Sequence, residues 1–353
     1  MLAFLVSARA DVLVLASDSE ADAIKVATDS IHTAFLVSAA LITATVLAAI
    51  YFGPSLGPSL AVVGALLTSR FDIYRAFLIR RGDSRRAARI VFFRSLISGV
   101  LLVLAAYWSD HFELLLLANF ASFMFVLPVK SSSWQAHQFR MSACVDHLRK
   151  FKRQYSFGAP AAVVSAFYLQ GLPIVFTAAF GEAVAGAVYL VIRAVQLPVG
   201  LLARATSELL TAEISKKGDQ IESRRRAERF LAIIAALLIA SAAISYFINF
   251  EAIAAFAFGD KWLGSGFSIN SAISLMLFFS AVQFYVSPLT TDFTLYGKQS
   301  WMLLWEIGRT SMLLLGVLAL RSLGADAAFL YWTTVALLSY VILHALRKRI
   351  LRY

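Results

Sequence analysis

The chain has 353 residues, 60% of them apolar and 15% charged, against about 45–50% and about 25% in soluble domains. That balance excludes an ordinary soluble enzyme and indicates a polytopic membrane protein. The net charge of +11 fits basic loops on one membrane face rather than a nucleic-acid interface, and a single cysteine, Cys144, excludes an intrachain disulfide and a cysteine-built metal site.

Residues 1–16 are apolar but interrupted by Arg9 and Asp11, and they fall short of the roughly 20 residues that a span requires. They read as the last half of a transmembrane helix whose beginning is missing, and are expected to lie exposed where a first helix would pack. An acidic, serine-rich amphipathic connector covers 17–30. Full spans are predicted at about 31–52, 57–79, 90–108 and 112–130. A basic segment, 131–156, interrupts the series, which resumes at about 157–179, 184–212, 229–250, 268–296, 301–320 and 327–346. The expected fold is all-α and polytopic, with about ten transmembrane helices in two unequal bundles around a central cavity. Its expected domains are an incomplete N-terminal lobe (1–130), a cytoplasmic basic linker (131–156) and a six-helix C-terminal lobe (157–353).

Loop charge orients these spans. Alternate connections hold twenty-two Lys and Arg, and the opposite set holds only Lys261 and Arg321. Cytoplasmic loops collect the cations, so 80–89, 131–156, 213–229 and the C-terminus are placed inside. The turns at Gly53, Asp110, Gly181, 250–267 and Gly324 are placed outside.

The stretch from Phe180 to Lys217 concentrates the chemistry. Arg193, Gln196, Gly200, Arg204, Ser207 and Thr211 recur at three- and four-residue intervals, which puts them on one helical stripe. A guanidinium at the bilayer centre costs at least roughly 2.5–3.5 kcal/mol, so the stripe is expected to face protein or a watered cavity. Pro198 is expected to loosen the helix, because it removes one backbone bond. A loosened helix with a cationic stripe reads as the wall of a path for an anion. Arg94 and Arg309 are further candidates at depth, and Arg70 and Arg75 lie near a cytoplasmic end.

Phe180-Gly181, Gly186, Tyr189, Arg193 and Pro198, the external Phe258-Gly259-Asp260-Lys261-Trp262, and the run from Arg9 to Ala16 carry a resemblance. By these the chain resembles the bacterial polysaccharide, O-antigen (Wzx-type) flippases of the multidrug/oligosaccharidyl-lipid/polysaccharide exporter superfamily, with a shortened N-terminus. The resemblance implies movement of a polyprenyl-diphosphate-linked oligosaccharide across the bacterial inner membrane by alternating access, for O-antigen, capsule or exopolysaccharide assembly. The implied partners are the lipid-linked oligosaccharide, the bilayer and other membrane proteins of polysaccharide assembly, with no nucleic acid and no cofactor. A diphosphate suits the planar donor fork of arginine. The substrate-binding candidates are Arg193, Arg94, Arg309, Arg204 and Gln196; Glu208, Asp292 and Glu306 are candidate coupling carboxylates.

Each candidate has a plainer reading beside it. Arg70, Arg75, Arg94 and Arg204 lie close enough to a membrane face to snorkel. Arg193 can pair with a carboxylate on another helix, and Arg309 with Glu306 three residues earlier. Trp301, Trp305, Trp332 and Tyr331 fit packing or an interfacial belt better than a sugar platform. No Gly-rich loop ending in Gly-Lys-Ser/Thr, no His-Glu-x-x-His and no Gly-x-Ser-x-Gly appears, so catalysis has no motif behind it and no metal site is expected. Three other readings stand as alternatives, one of them a nonfunctional or partner-dependent fragment. A multidrug exporter of the same superfamily would want a carboxylate-lined cavity, and a membrane polymerase or glycosyltransferase a large external loop.

Overall fold

A computed structural model describes residues 10–15, 17, 19–52, 57–108, 112–124, 141–214, 220–253 and 266–351. Every regular element among them is helical. Eight of the helices are long and apolar enough to cross a membrane, so the chain is an all-α multi-pass membrane protein. The chain divides into two compact units, 1–163 and 164–353.

The first unit begins with α1 (Ala10–Leu15), packed on α2 (Glu20–Phe52) and α3 (Gly57–Arg80). Ala10, Val12, Val14 and Leu15 are buried. A helix ends with carbonyls that lack intrahelical partners, and Arg80 Nη1 donates to the Leu15 carbonyl at 2.8 Å. The expected exposure of this segment is therefore corrected for 10–15: an apolar face and a capping guanidinium bury it. Residues 1–9 lie outside the described residues.

The predicted connector at 17–30 is also corrected, because α2 starts at Glu20. The Ser19 hydroxyl accepts from the Asp22 amide at 3.1 Å, satisfying a helix-start donor. At 33 residues and about 1.5 Å per residue, α2 is roughly 50 Å long, longer than the hydrocarbon core of about 30 Å. Then come α4 (Ser84–Trp108), α5 (Phe112–Met124) and α6 (Met141–Lys150). Arg70, Asp72 and Arg75 leave α3 too polar to count among the eight apolar spans, and α5 is described for only 13 residues. Of the ten predicted spans, 57–79 therefore falls outside the eight by composition, and 112–130 is described only from Phe112 to Met124. The helix α6, inside the segment read as a linker, was not predicted. A π-helical turn at Gln154–Gly158 follows it.

The second unit contains α7 (Ala159–Phe180, whose first turn belongs to the first unit), α8 (Glu182–Ile214), α9 (Gln220–Ser245), α10 (Ile269–Val286), α11 (Thr291–Leu295), α12 (Gln299–Ala319) and α13 (Ala325–Leu351). Its core is aromatic. Tyr168, Phe176, Phe279, Phe329 and Trp332 are fully buried, and Tyr168 stacks on Trp332 with centroids 5.5 Å apart. The turn from α7 to α8 needs Gly181, whose φ of 87° is unfavourable for residues with a Cβ. Pro198 lies within α8 without ending it. Its missing N–H costs the helix one bond, and the flanking turns carry on. The predicted span 268–296 is broken instead at Ser287–Thr290, a 3₁₀ turn that holds Pro288.

Candidate functional site

The face of α8 follows the predicted stripe. Val184, Val188, Val191, Val195 and Val199 are buried in the unit's core, which leaves the Arg193, Gly200 and Arg204 side exposed and Gln196 and Ser207 half-buried. The Thr211 side chain lies outside the described residues. Arg193 Nε donates to the Tyr189 hydroxyl at 2.8 Å, and its guanidinium sits 5.0 Å from the centre of that ring. Among the described residues no carboxylate pairs with Arg193. Tyr189 therefore holds the guanidinium through Nε, and no acceptor among the described residues takes its Nη donors. A cation over an aromatic face is favourable, and the tyrosine steers the fork without neutralising it.

Three turns further on, Arg204 Nε donates to Glu208 Oε1 at 3.1 Å, with Glu208 buried and Arg204 partly exposed. Ser207 shares a hydroxyl bond of 3.1 Å with Thr291, tying α8 to the break after α10. Gln196 leads inward: its Nε2 donates to Gln283 Oε1 at 3.3 Å, and Gln283 Nε2 donates to the Tyr340 hydroxyl at 3.2 Å. This chain of amides links the stripe to the core.

At its inner end lies Arg309. Its side chain is 1% exposed and ion-pairs with Glu306, itself 3% exposed, one turn back on α12. Three rings enclose the guanidinium, with centroids 4.1 Å (Tyr168), 4.2 Å (Trp305) and 5.2 Å (Tyr340) away. Trp305 is fixed in turn, because its indole N–H donates to the Ser339 carbonyl at 2.9 Å. Of the two readings of Arg309, the structure displays the pair with Glu306. The expectation that Arg94 or Arg309 helps Arg193 hold an anionic ligand meets, at Arg309, a guanidinium already paired with Glu306 inside a three-walled aromatic box.

Asp292 is also committed. Arg347 on α13, fully buried, donates through Nε to Asp292 Oδ2 at 2.7 Å and through Nη1 to Glu228 Oε1 at 2.8 Å. This triad fastens α9, α11 and α13 at one end of the unit. Sequence reading missed Arg347, which was counted with the basic tail.

The first unit holds Arg94, half-buried, with its guanidinium 3.9 Å from the Phe123 centroid and 5.0 Å from that of Phe71. The Phe258–Trp262 motif lies outside the described residues. A second feature of this unit is a cleft of about 280 Å³ between α2 and α6, lined in part by Asp22, Lys25, Asp29, Asp146, His147 and Lys150. Burial pushes the His147 imidazole down to about 4 and the Cys144 thiol up, and His147 Nε2 lies 3.2 Å from the Ser30 hydroxyl. Among the described residues no group of three His, Cys, Asp or Glu has metal-ligating geometry.

Comparison with known proteins places this geometry. The fold matches that of MATE in complex with MaL6, at TM-score 0.74 and 15% identity over 99% of this chain and 83% of that one. It also matches a MOP superfamily transporter from Pyrococcus furiosus, described by the reverse polarity of its binding pocket, at TM-score 0.71 and 15% identity over 84% of that chain. An outward-facing multidrug resistance MATE family transporter matches at TM-score 0.69 and 16% identity, again over 99% of this chain and 84% of that one. No curated protein matches. A family model described as polysaccharide biosynthesis protein covers residues 12–266. That match takes in well over half of the length, and the chain belongs to the polysaccharide biosynthesis protein family.

Proposed function

We propose that the protein moves a polyprenyl-diphosphate-linked oligosaccharide across the bacterial inner membrane by alternating access of its two units, for O-antigen, capsule or exopolysaccharide assembly. One observation carries the reading: a member of a polysaccharide biosynthesis family has the fold of exporters. Such a fold in such a pathway relocates an intermediate rather than making one. The cationic stripe of α8 supports the choice of cargo. A diphosphate is anionic, and Arg193 offers it a permanently charged fork with no competing carboxylate among the described residues. Gln196 and Arg204 extend the same face, and Arg94 is the counterpart in the first unit. The alternative multidrug reading fits less well, because the carboxylates on the stripe and below it, Glu208, Asp292 and Glu306, each pair with an arginine. The C-terminus and the basic loops lie in the cytoplasm in this reading.

The test is substitution at Arg193 in a strain that depends on this chain for surface polysaccharide. Arg193→Ala abolishes the polysaccharide at unchanged protein level, and Arg193→Lys restores part of it, since charge returns without the fork. Full activity of Arg193→Ala contradicts the site. A fall in protein level with both variants assigns Arg193 to folding instead.

A further inference from the structure

The helix α6 has two faces, and among the described residues the protein covers only one. Cys144 and His147 are buried, and Phe151 just beyond the helix packs its ring 4.9 Å from that of His147. Two contacts pin this side to α2: His147 to Ser30 at 3.2 Å and Lys150 Nζ to Asp22 Oδ1 at 3.7 Å. About a third of a turn away, Met141, Val145 and Leu148 are 60%, 39% and 37% exposed. Their spacing of four and three residues aligns them in one stripe, which Lys152 continues. Arg149 and Arg153, both exposed, flank it.

Position restricts what covers this stripe. Within four residues of its end, α6 runs into the apolar span Gln154–Phe180. Its anchor, the stretch of α2 from Asp22 to Ser30, lies at one end of a helix roughly 50 Å long, which overruns a hydrocarbon core of about 30 Å. The helix therefore lies at headgroup depth, with an apolar stripe on one side and cations beside it. That arrangement belongs to helices that lie in the plane of a membrane interface.

From this juxtaposition we infer that α6 is an interfacial helix whose Met141, Val145 and Leu148 enter the bilayer surface while Arg149, Lys152 and Arg153 bind anionic phospholipid headgroups. The occupant is the lipid of the leaflet itself, selected by charge complementarity. Because α6 is pinned to α2, the headgroup site moves with the first unit. The inference does not depend on the cargo, and an exporter of any substrate would have the same surface.

The experiment uses the full chain, carrying Cys144→Ala and one nitroxide label at Val145→Cys, in nanodiscs of phosphatidylcholine with or without phosphatidylglycerol. The label is expected to collide with oxygen more often than with an aqueous nickel chelate. A headgroup-labelled phosphatidylglycerol is expected to approach it more closely than the matching phosphatidylcholine. That preference is expected to be lost in the triple variant Arg149→Gln, Lys152→Gln, Arg153→Gln. A repeat with the label at Leu148→Cys guards against a local artefact. Nickel collisions exceeding oxygen overturn the inference, because the stripe then faces water. Exclusion of both reagents also overturns it, because protein then covers the stripe. Equal approach of the two lipids, or a preference that survives in the triple variant, removes the headgroup site.

Discussion

Replacing Arg309 by Met leaves Glu306 as an uncompensated carboxylate with 3% of its side chain exposed. Breaking a buried pair from one side costs about 3–5 kcal/mol, whereas replacing both partners with apolar residues is close to neutral. A unit of 150–250 residues shifts its Tm by about 2–4 °C per kcal/mol, and the second unit, 164–353, falls in that range. Arg309→Met should therefore lower the Tm of the purified protein by roughly 6–20 °C. The double variant Arg309→Met with Glu306→Leu should recover most of that loss, since the box of Tyr168, Trp305 and Tyr340 accepts an unbranched apolar side chain. Fluorescence-detected thermal unfolding in detergent measures all four corners of the cycle. The same double variant should retain surface polysaccharide. A single variant as stable as the parent refutes the reasoning on stability. A stable double variant that no longer exports refutes the assignment of Arg309 to structure.

Three further outcomes follow from the same geometry. Arg347→Leu strands the buried Asp292 carboxylate and should cost about 3–5 kcal/mol, with Asp292→Asn in the same chain restoring most of the Tm. His147 titrates at about 4 in the folded chain against an ordinary 6.5, so the unfolded state binds more protons between those values. Its contribution is complete above about pH 6.5 and is lost as pH falls toward 4; His147→Gln should flatten that part of a Tm-against-pH curve. A Cβ on Gly316 would lie 2.0 Å from the Tyr331 ring, so Gly316→Leu should destabilise by about 1–3 kcal/mol, and adding Tyr331→Ala should relieve it, both read as Tm.

Hydropathy alone located most of the spans, because a helix in lipid must bury its own backbone bonds and show an apolar surface. It failed where composition is mixed. The start of α2 carries Glu20, Asp22, Lys25 and Asp29 around the small buried residues Ala23 and Ala27, so a continuous helix looked like a connector. The helix α6 was lost within a basic segment for the same reason. The α8 stripe was legible, since its spacing is local and its opposite face is a run of buried valines. The pair Glu306 and Arg309 was visible at three residues' separation. Its aromatic box was not, because Tyr168 and Tyr340 come from α7 and α13, and periodicity within one helix says nothing about such neighbours. Arg347 was hidden in the same way: its partners Asp292 and Glu228 lie 55 and 119 residues away.

The central claim is transport of a lipid-linked glycan, and reconstitution tests it most directly. Purified protein in liposomes would be loaded in both leaflets with a fluorescent polyprenyl-diphosphate oligosaccharide, and a membrane-impermeant glycosidase added outside. Complete digestion within the assay is expected with the parent protein. Protection of about half of the probe is expected with Arg193→Ala, as in protein-free liposomes. Half-protection with the parent protein, under an imposed proton or sodium gradient of either sign, would contradict the account.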